Sequence, residues 1–178
     1  MLVCFTFRLT TSHAQVDKHT ISLLTHIIER KSDTSIVAYT RTPGSAYYDY
    51  VARYAMKRKL WDRDKKRYAL KLTKKEGKFI EEQISLVREK EWPLQLLGYS
   101  DLIPAGNANQ YSKNYPIRPI YQFTFPIFIR NNSLALIMIK KHAPANAGGS
   151  EEISFFKKSG KWWTRLALLE ISTWGDLQ

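Results

Sequence analysis

Ile120-Tyr121-Gln122-Phe123-Thr124-Phe125-Pro126-Ile127-Phe128-Ile129, a turn at Asn131-Asn132-Ser133, and Leu134-Ala135-Leu136-Ile137-Met138-Ile139-Lys140 form the stretch that decides the fold. Aromatic and β-branched residues on one side of a short polar turn, with an apolar run on the other, read as a β-hairpin. Pro126 has no amide proton to give to a ladder, so it belongs at an edge or a bulge. A loop rich in Ala, Gly and Pro follows from His142 to Ser150. Ile153 to Lys157, a turn at Ser159-Gly160, and Trp162 to Ile171 then make a second hairpin. There Gly160 supplies the positive φ of a tight turn, and flanking lysines keep the turn solvated. Trp162 and Trp163 return bulk to the sheet, a structural use rather than a ligand platform.

Upstream of the hairpins the period changes. Thr73-Lys74-Lys75-Glu76 is a capping box, with Thr and Glu three apart ahead of an apolar-periodic run. The helix it opens shows Phe79, Ile80, Ile84 and Val87 on one stripe and stops before Trp92-Pro93. Asp17 caps a helix running to about Lys31, with Ile21, Leu24 and Ile28 at helical spacing and Leu23 and Ile27 widening the stripe. Ser45 opens another, with Ala46, Tyr50, Val51 and Tyr54 on one side. Ile36 to Thr40 is a strand or a connection, and Leu94 to Pro119 reads as loop. Helices first and strands afterwards predict an α+β fold, with N-terminal helices packed on one face of a C-terminal antiparallel sheet of about four strands.

The chain's 178 residues suit one domain with a sizeable core. Residues 15–178 are assigned to it. Residues 1–14 read as a truncated signal peptide: an apolar run from Leu2 to Phe7, then small residues at Ser12 and Ala14 ahead of Gln15. The alternative for this segment is a first strand, Val3 to Leu9, in a cytoplasmic protein. Cys4 is the sole cysteine, so the chain holds no internal disulfide and no cysteine-based zinc site. No apolar run is long enough to span a membrane.

Three of these pieces carry a resemblance. The capped helix Leu72-Thr73-Lys74-Lys75-Glu76 through Gln83, the segment Tyr121 to Phe128, and the hairpin Ile153 to Trp162 occur in order. Together they resemble a family of uncharacterised exported bacterial proteins with an F-S-x-P-I-F-like strand and a closing K-x-x-G-K-W hairpin. The likeness spans roughly residues 70–174. Members often carry a Gly- and Cys-containing loop where this chain has His142 to Ser150 without cysteine. The resemblance implies export to the periplasm or cell envelope, and it implies no activity.

Nothing in the sequence announces catalysis. There is no G-x-S-x-G elbow, H-E-x-x-H, P-loop or G-x-G-x-x-G. Glu81 and Glu82 are consecutive on a helix and diverge by about 100°. His19 and His26, seven apart, share a helix face but lie roughly 10 Å from each other, too far to hold one ion alone. The expectation is a non-enzyme with no cofactor and no metal.

Charge is the one constellation above background. The chain carries a net +12, and twelve basic residues stand against three acidic ones between Arg53 and Lys78. The candidate anion-binding residues are Arg53, Lys57, Arg58, Lys59, Arg63, Lys65, Lys66 and Arg67, with Tyr47, Tyr48, Tyr50, Tyr54 and Trp61 beside or among them. One reading is a polyanion-binding surface, with cations on phosphates and aromatics on bases. The other is a solvated helix and loop whose tyrosines face the core. No RNP motif, helix-turn-helix pattern or zinc finger accompanies the charge. For an exported protein the partner is an anionic lipid headgroup or glycan, and the domain acts in binding or structure. The alternative is a cytoplasmic nucleic-acid-binding protein.

Overall fold

The computed structural model describes residues 16–29, 37–39, 45–57, 59–87, 90, 92, 102–103, 119–143 and 148–175. In chain order they form α1 (Lys18–Glu29), β1 (Val37–Tyr39), α2 (Ser45–Met56), β2 (Lys59–Asp62), β3 (Arg67–Lys71) and α3 (Lys74–Val87). Six further strands follow: β4 (Leu102–Ile103), β5 (Ile120–Phe123), β6 (Ile127–Ile129), β7 (Leu134–His142), β8 (Gly149–Ser159) and β9 (Trp162–Trp174). The leader and the alternative first strand fall on residues 1–14, outside the described residues.

The caps form as the sequence dictates. Asp17 Oδ1 accepts from the amides of His19 at 2.8 Å and Thr20 at 3.1 Å, opening α1. At α3 the Glu76 amide donates to Thr73 Oγ1 at 3.1 Å, and Glu76 Oε2 accepts from the Thr73 amide at 2.8 Å. Arg130 donates to the same carboxylate at 2.7 Å and to the Lys71 carbonyl at 2.9 Å. That guanidinium, with the capping bonds, holds the Glu76 carboxyl down at about 2. Ile80, Ile84 and Val87 are buried as the stripe requires, whereas Phe79 is 40% exposed.

The sheet is larger and more mixed than four antiparallel strands. Seven strands belong to it, in the order β4-β1-β5-β7-β8-β9, with β6 also on β7; β2 and β3 form a separate pair. β1 runs parallel to both β4 and β5, so the segment read as loop from Leu94 contributes a strand, and so does Val37–Tyr39. β5 and β6 lie end to end along β7 and are separated by Thr124, Phe125 and Pro126. Those three residues face only Ile137 and Met138 across the ladder, which is a bulge, and Pro126 sits in it.

The helices do not share one face. Leu134, Leu136 and Met138 of β7 point into a core with Tyr48, Val51, Leu60, Leu70, Ile80 and Ile84. Ala135, Ile137 and Ile139 point the other way, against Leu23, Leu24 and Ile27 of α1 and the fully buried Trp163. The sheet is therefore covered on one side by α1 and on the other by α2, α3 and the β2–β3 hairpin. An uninterrupted apolar run in β7 reflects a strand buried on both faces, where alternation would mark a half-exposed one.

β9 is an edge, and edges need cover. Two register shifts against β8 leave Leu166 and Leu169 unopposed, so β9 carries two bulges. The β2–β3 hairpin docks there. The Arg63 amide donates to the Leu168 carbonyl at 2.8 Å, and the Leu168 amide donates to Asp62 Oδ1 at 3.2 Å.

Candidate functional site

The basic segment spans the end of α2, a hairpin and the start of α3, so only part of it is solvated helix. Its central part is the β2–β3 hairpin, closed by a turn at Arg63–Lys66 in which Lys66 adopts φ 48°. The cross-strand partners are Lys59 with Lys71, Leu60 with Leu70, Trp61 with Tyr68, and Asp62 with Arg67. Leu60 and Leu70 face the core, and Asp62 is 2% exposed. Lys59, Lys71, Trp61 and Tyr68 face outward.

One residue makes that outward face. Between Leu70 and Tyr68 the register skips Ala69. Regular pairing would set Ala69 opposite Trp61 and turn Tyr68 inward as the partner of Asp62, because successive strand residues alternate sides. The bulge brings Tyr68 outside instead. Trp61 is 45% and Tyr68 67% exposed, with ring centroids 5.1 Å apart at an interplanar angle of 86°.

The candidate cations separate into two groups. Arg53 is exposed on α2 and donates to the Asp49 carbonyl at 3.4 Å. Lys57 lies over the Tyr54 ring at 4.7 Å from its centroid. Arg63 pairs with Glu170, which also accepts from the Tyr54 hydroxyl. Lys65 approaches Asp62 Oδ2 at 3.8 Å. Those four contacts are internal. Lys59, Lys66 and Arg67 are exposed, and none forms an ion pair among the described residues. Arg58 lies outside the described residues.

Lys57, Lys59 and Arg63 converge on an open cavity of about 340 Å³ beside β2, lined also by Tyr54, Trp61 and Glu170. A second cavity of about 370 Å³ lies across the turn, floored by Ile27, Phe156 and Leu168. Its charges are matched within the protein: Arg165 bridges Asp64 and Glu152, the latter at 3.6 Å.

Two of the helix tyrosines, Tyr48 and Tyr54, turn toward the core. Tyr48 is buried, its hydroxyl donating to the Val87 carbonyl at 3.4 Å, and Tyr54 packs against the same core. The side chains of Tyr47 and Tyr50 lie outside the described residues. What sequence reasoning missed is Tyr68 and the placement of Lys71 opposite Lys59. The signal was there only in part: Asp64-Lys65-Lys66 is a polar turn, but Lys59-Leu60-Trp61-Asp62 reads polar, apolar, apolar, charged, and only its burial alternates. The bulge at Ala69 breaks the matching alternation on the second strand and hides it.

Elsewhere Trp163 is core, its indole N–H donating to Ser22 Oγ at 3.2 Å, while Trp162 is exposed with Lys161 5.0 Å above its ring. His19 and His26 contact different partners, Lys158 at 3.2 Å and the Trp162 ring at 6.2 Å. Among the described residues no group of three or more His, Cys, Asp or Glu is placed to hold a metal ion. No described helix is long and apolar enough to cross a membrane.

No protein-family model, curated protein or solved structure matches this chain.

Proposed function

We propose that this chain is a non-catalytic binding domain that holds an anionic partner across the outer face of its β2–β3 hairpin. The observation that carries the reading is the direct cross-strand pairing of Lys59 with Lys71. Like charges placed directly opposite each other destabilise a hairpin. Neither lysine forms an ion pair among the described residues, so the repulsion is relieved when an anion sits between them. Arg67 and Lys66 extend the same positive field toward the turn, and the net +12 of the chain raises the local concentration of any polyanion.

The leader pattern before Gln15 and the resemblance to exported bacterial proteins support a place in the cell envelope for this domain. A mature N-terminus near Gln15 in an extracytoplasmic fraction is the expected result, and an intact cytoplasmic chain overturns it. Binding is tested with linear polyphosphate in a salt titration. The expected result is an affinity that falls steeply with salt and a large loss in the double variant Lys59→Glu, Lys71→Glu. Equal binding by both proteins overturns it.

A further inference from the structure

The outer face of the hairpin carries rings as well as charge, in a fixed order. One cross-strand pair is two ammonium groups, Lys59 and Lys71; the next outward pair is two rings, Trp61 and Tyr68. Lys66 follows in the turn, exposed, whereas Arg67 pairs with the inward Asp62 and lies on the other side of the strand from Tyr68. The lysine pair and the ring pair thus succeed each other along this face, about 7 Å apart at the usual strand rise.

The second ring is there at a cost. The bulge at Ala69 interrupts the ladder, and its effect is to bring Tyr68 into water, where the ring is 67% exposed. Such a ring adds little to the core. Its edge-to-face contact with Trp61 fixes the orientation of both rings, which suits a platform for stacking.

The tip of the hairpin has a different part. Arg63 is tied to Glu170 and Asp64 to Arg165, so the turn is fastened to the sheet. Its residues, Arg63-Asp64-Lys65-Lys66, are all charged. A hairpin that enters a bilayer needs an apolar or aromatic tip free to move into it, and this one is charged and held. The face is suited to a polymer lying across it.

We infer that this face binds single-stranded nucleic acid, with unpaired bases stacking on Trp61 and Tyr68 and phosphates meeting Lys59 and Lys71. The inference rests on the anionic-partner reading and names the class of polymer: one planar ring for each anionic group. A duplex hides its base faces in its own stack, whereas a single strand offers them. Stacking on rings flanked by flexible cations reads no base edge, so the binding tolerates any sequence. It concerns the chemistry of the face and holds on either side of a membrane.

The test compares a short oligo-dT with an abasic oligonucleotide of equal length and charge, using the full chain at fixed salt. The expected result is oligo-dT binding roughly tenfold tighter per stacked base. That advantage should vanish in Trp61→Ala and Tyr68→Ala, while residual binding matches the abasic strand. Both side chains are exposed, so unchanged unfolding midpoints certify the variants. Equal binding of the two oligonucleotides by the wild type overturns the nucleic-acid inference and leaves the anionic-partner reading standing. Tighter binding of an acidic glycan such as heparin than of oligo-dT overturns it likewise. Binding of no polyanion at all removes both.

Discussion

Asp62 accepts a hydrogen bond from the backbone amide of Leu168 at 3.2 Å, and this contact between a hairpin and an edge strand positions the whole candidate site. The same oxygen accepts from the Asp64 amide at 3.2 Å, which shapes the turn. With the Arg63 amide on the Leu168 carbonyl, the hairpin covers β9 at its bulged middle and faces its other side to solvent. A carboxylate that looks in sequence like one more surface charge is therefore the anchor of the site.

Asp62→Ala leaves the Leu168 amide without its acceptor in a buried place. Leaving such a group unsatisfied costs about 1–3 kcal/mol. Urea denaturation should show that loss, with the hairpin loosened enough to weaken anion binding as well. Stability within about 0.5 kcal/mol of wild type, the range of ordinary surface changes, contradicts the anchoring role.

The Glu76 capping box gives the fold an acid-sensitive element. The hydrogen bonds from Arg130 and Thr73 hold the folded carboxyl at about 2, against 4.5 for an ordinary glutamate. Because the folded value is the lower one, the contribution to stability is present above the ordinary value and is lost as pH falls from there toward 2. Arg130→Ala should flatten that part of the pH–stability curve, measured as unfolding midpoints between pH 6 and 2. Thr73→Ala should cost about 1 kcal/mol at neutral pH.

Ser154 is fully buried in β8, and its hydroxyl has no hydrogen-bond partner among the described residues. It lies opposite Ile137 and Leu168 in the ladders. Removing a buried group that is already unsatisfied relieves a desolvation cost. Ser154→Ala should therefore leave the urea midpoint unchanged or raise it. A fall of more than about 1 kcal/mol would show that the hydroxyl is used.

Lys59→Glu separates stability from function. It turns a repulsive cross-strand pair into an attractive one with Lys71, stabilising the hairpin by about 0.2–1 kcal/mol. The same change removes one cation from the outer face and adds an anion. A protein that melts higher and binds polyanions less is the expected result, read by thermal unfolding and by polyphosphate titration on one preparation.

Local chemistry made much of the architecture legible. The caps at Asp17 and Thr73, the Asn131-Asn132-Ser133 turn, the Pro126 bulge and the Gly160 turn, with φ 59°, all lie where residue chemistry places them. What depended on distant pairing was not legible. β1 and β4 are three and two residues long and are strands only because they pair in parallel with each other and, through β1, with β5. The second covered face is written only in the unbroken apolar run of β7, a single strand's worth of signal. At the candidate site the cations were visible as a cluster. Which of them stay available was not, because Glu170 takes up Arg63 from a position that sequence spacing does not relate.

The most direct test of the anion-binding face is the salt dependence of polyphosphate affinity in wild type and in the neutral double variant Lys59→Ala, Lys71→Ala. Each cation that meets a phosphate adds about 0.7 to the steepness of log K against log salt for a flexible strand. Weaker binding by the variant is expected, with a slope reduced by roughly one to two. An unchanged slope and affinity would contradict it and place any anion binding elsewhere on this chain.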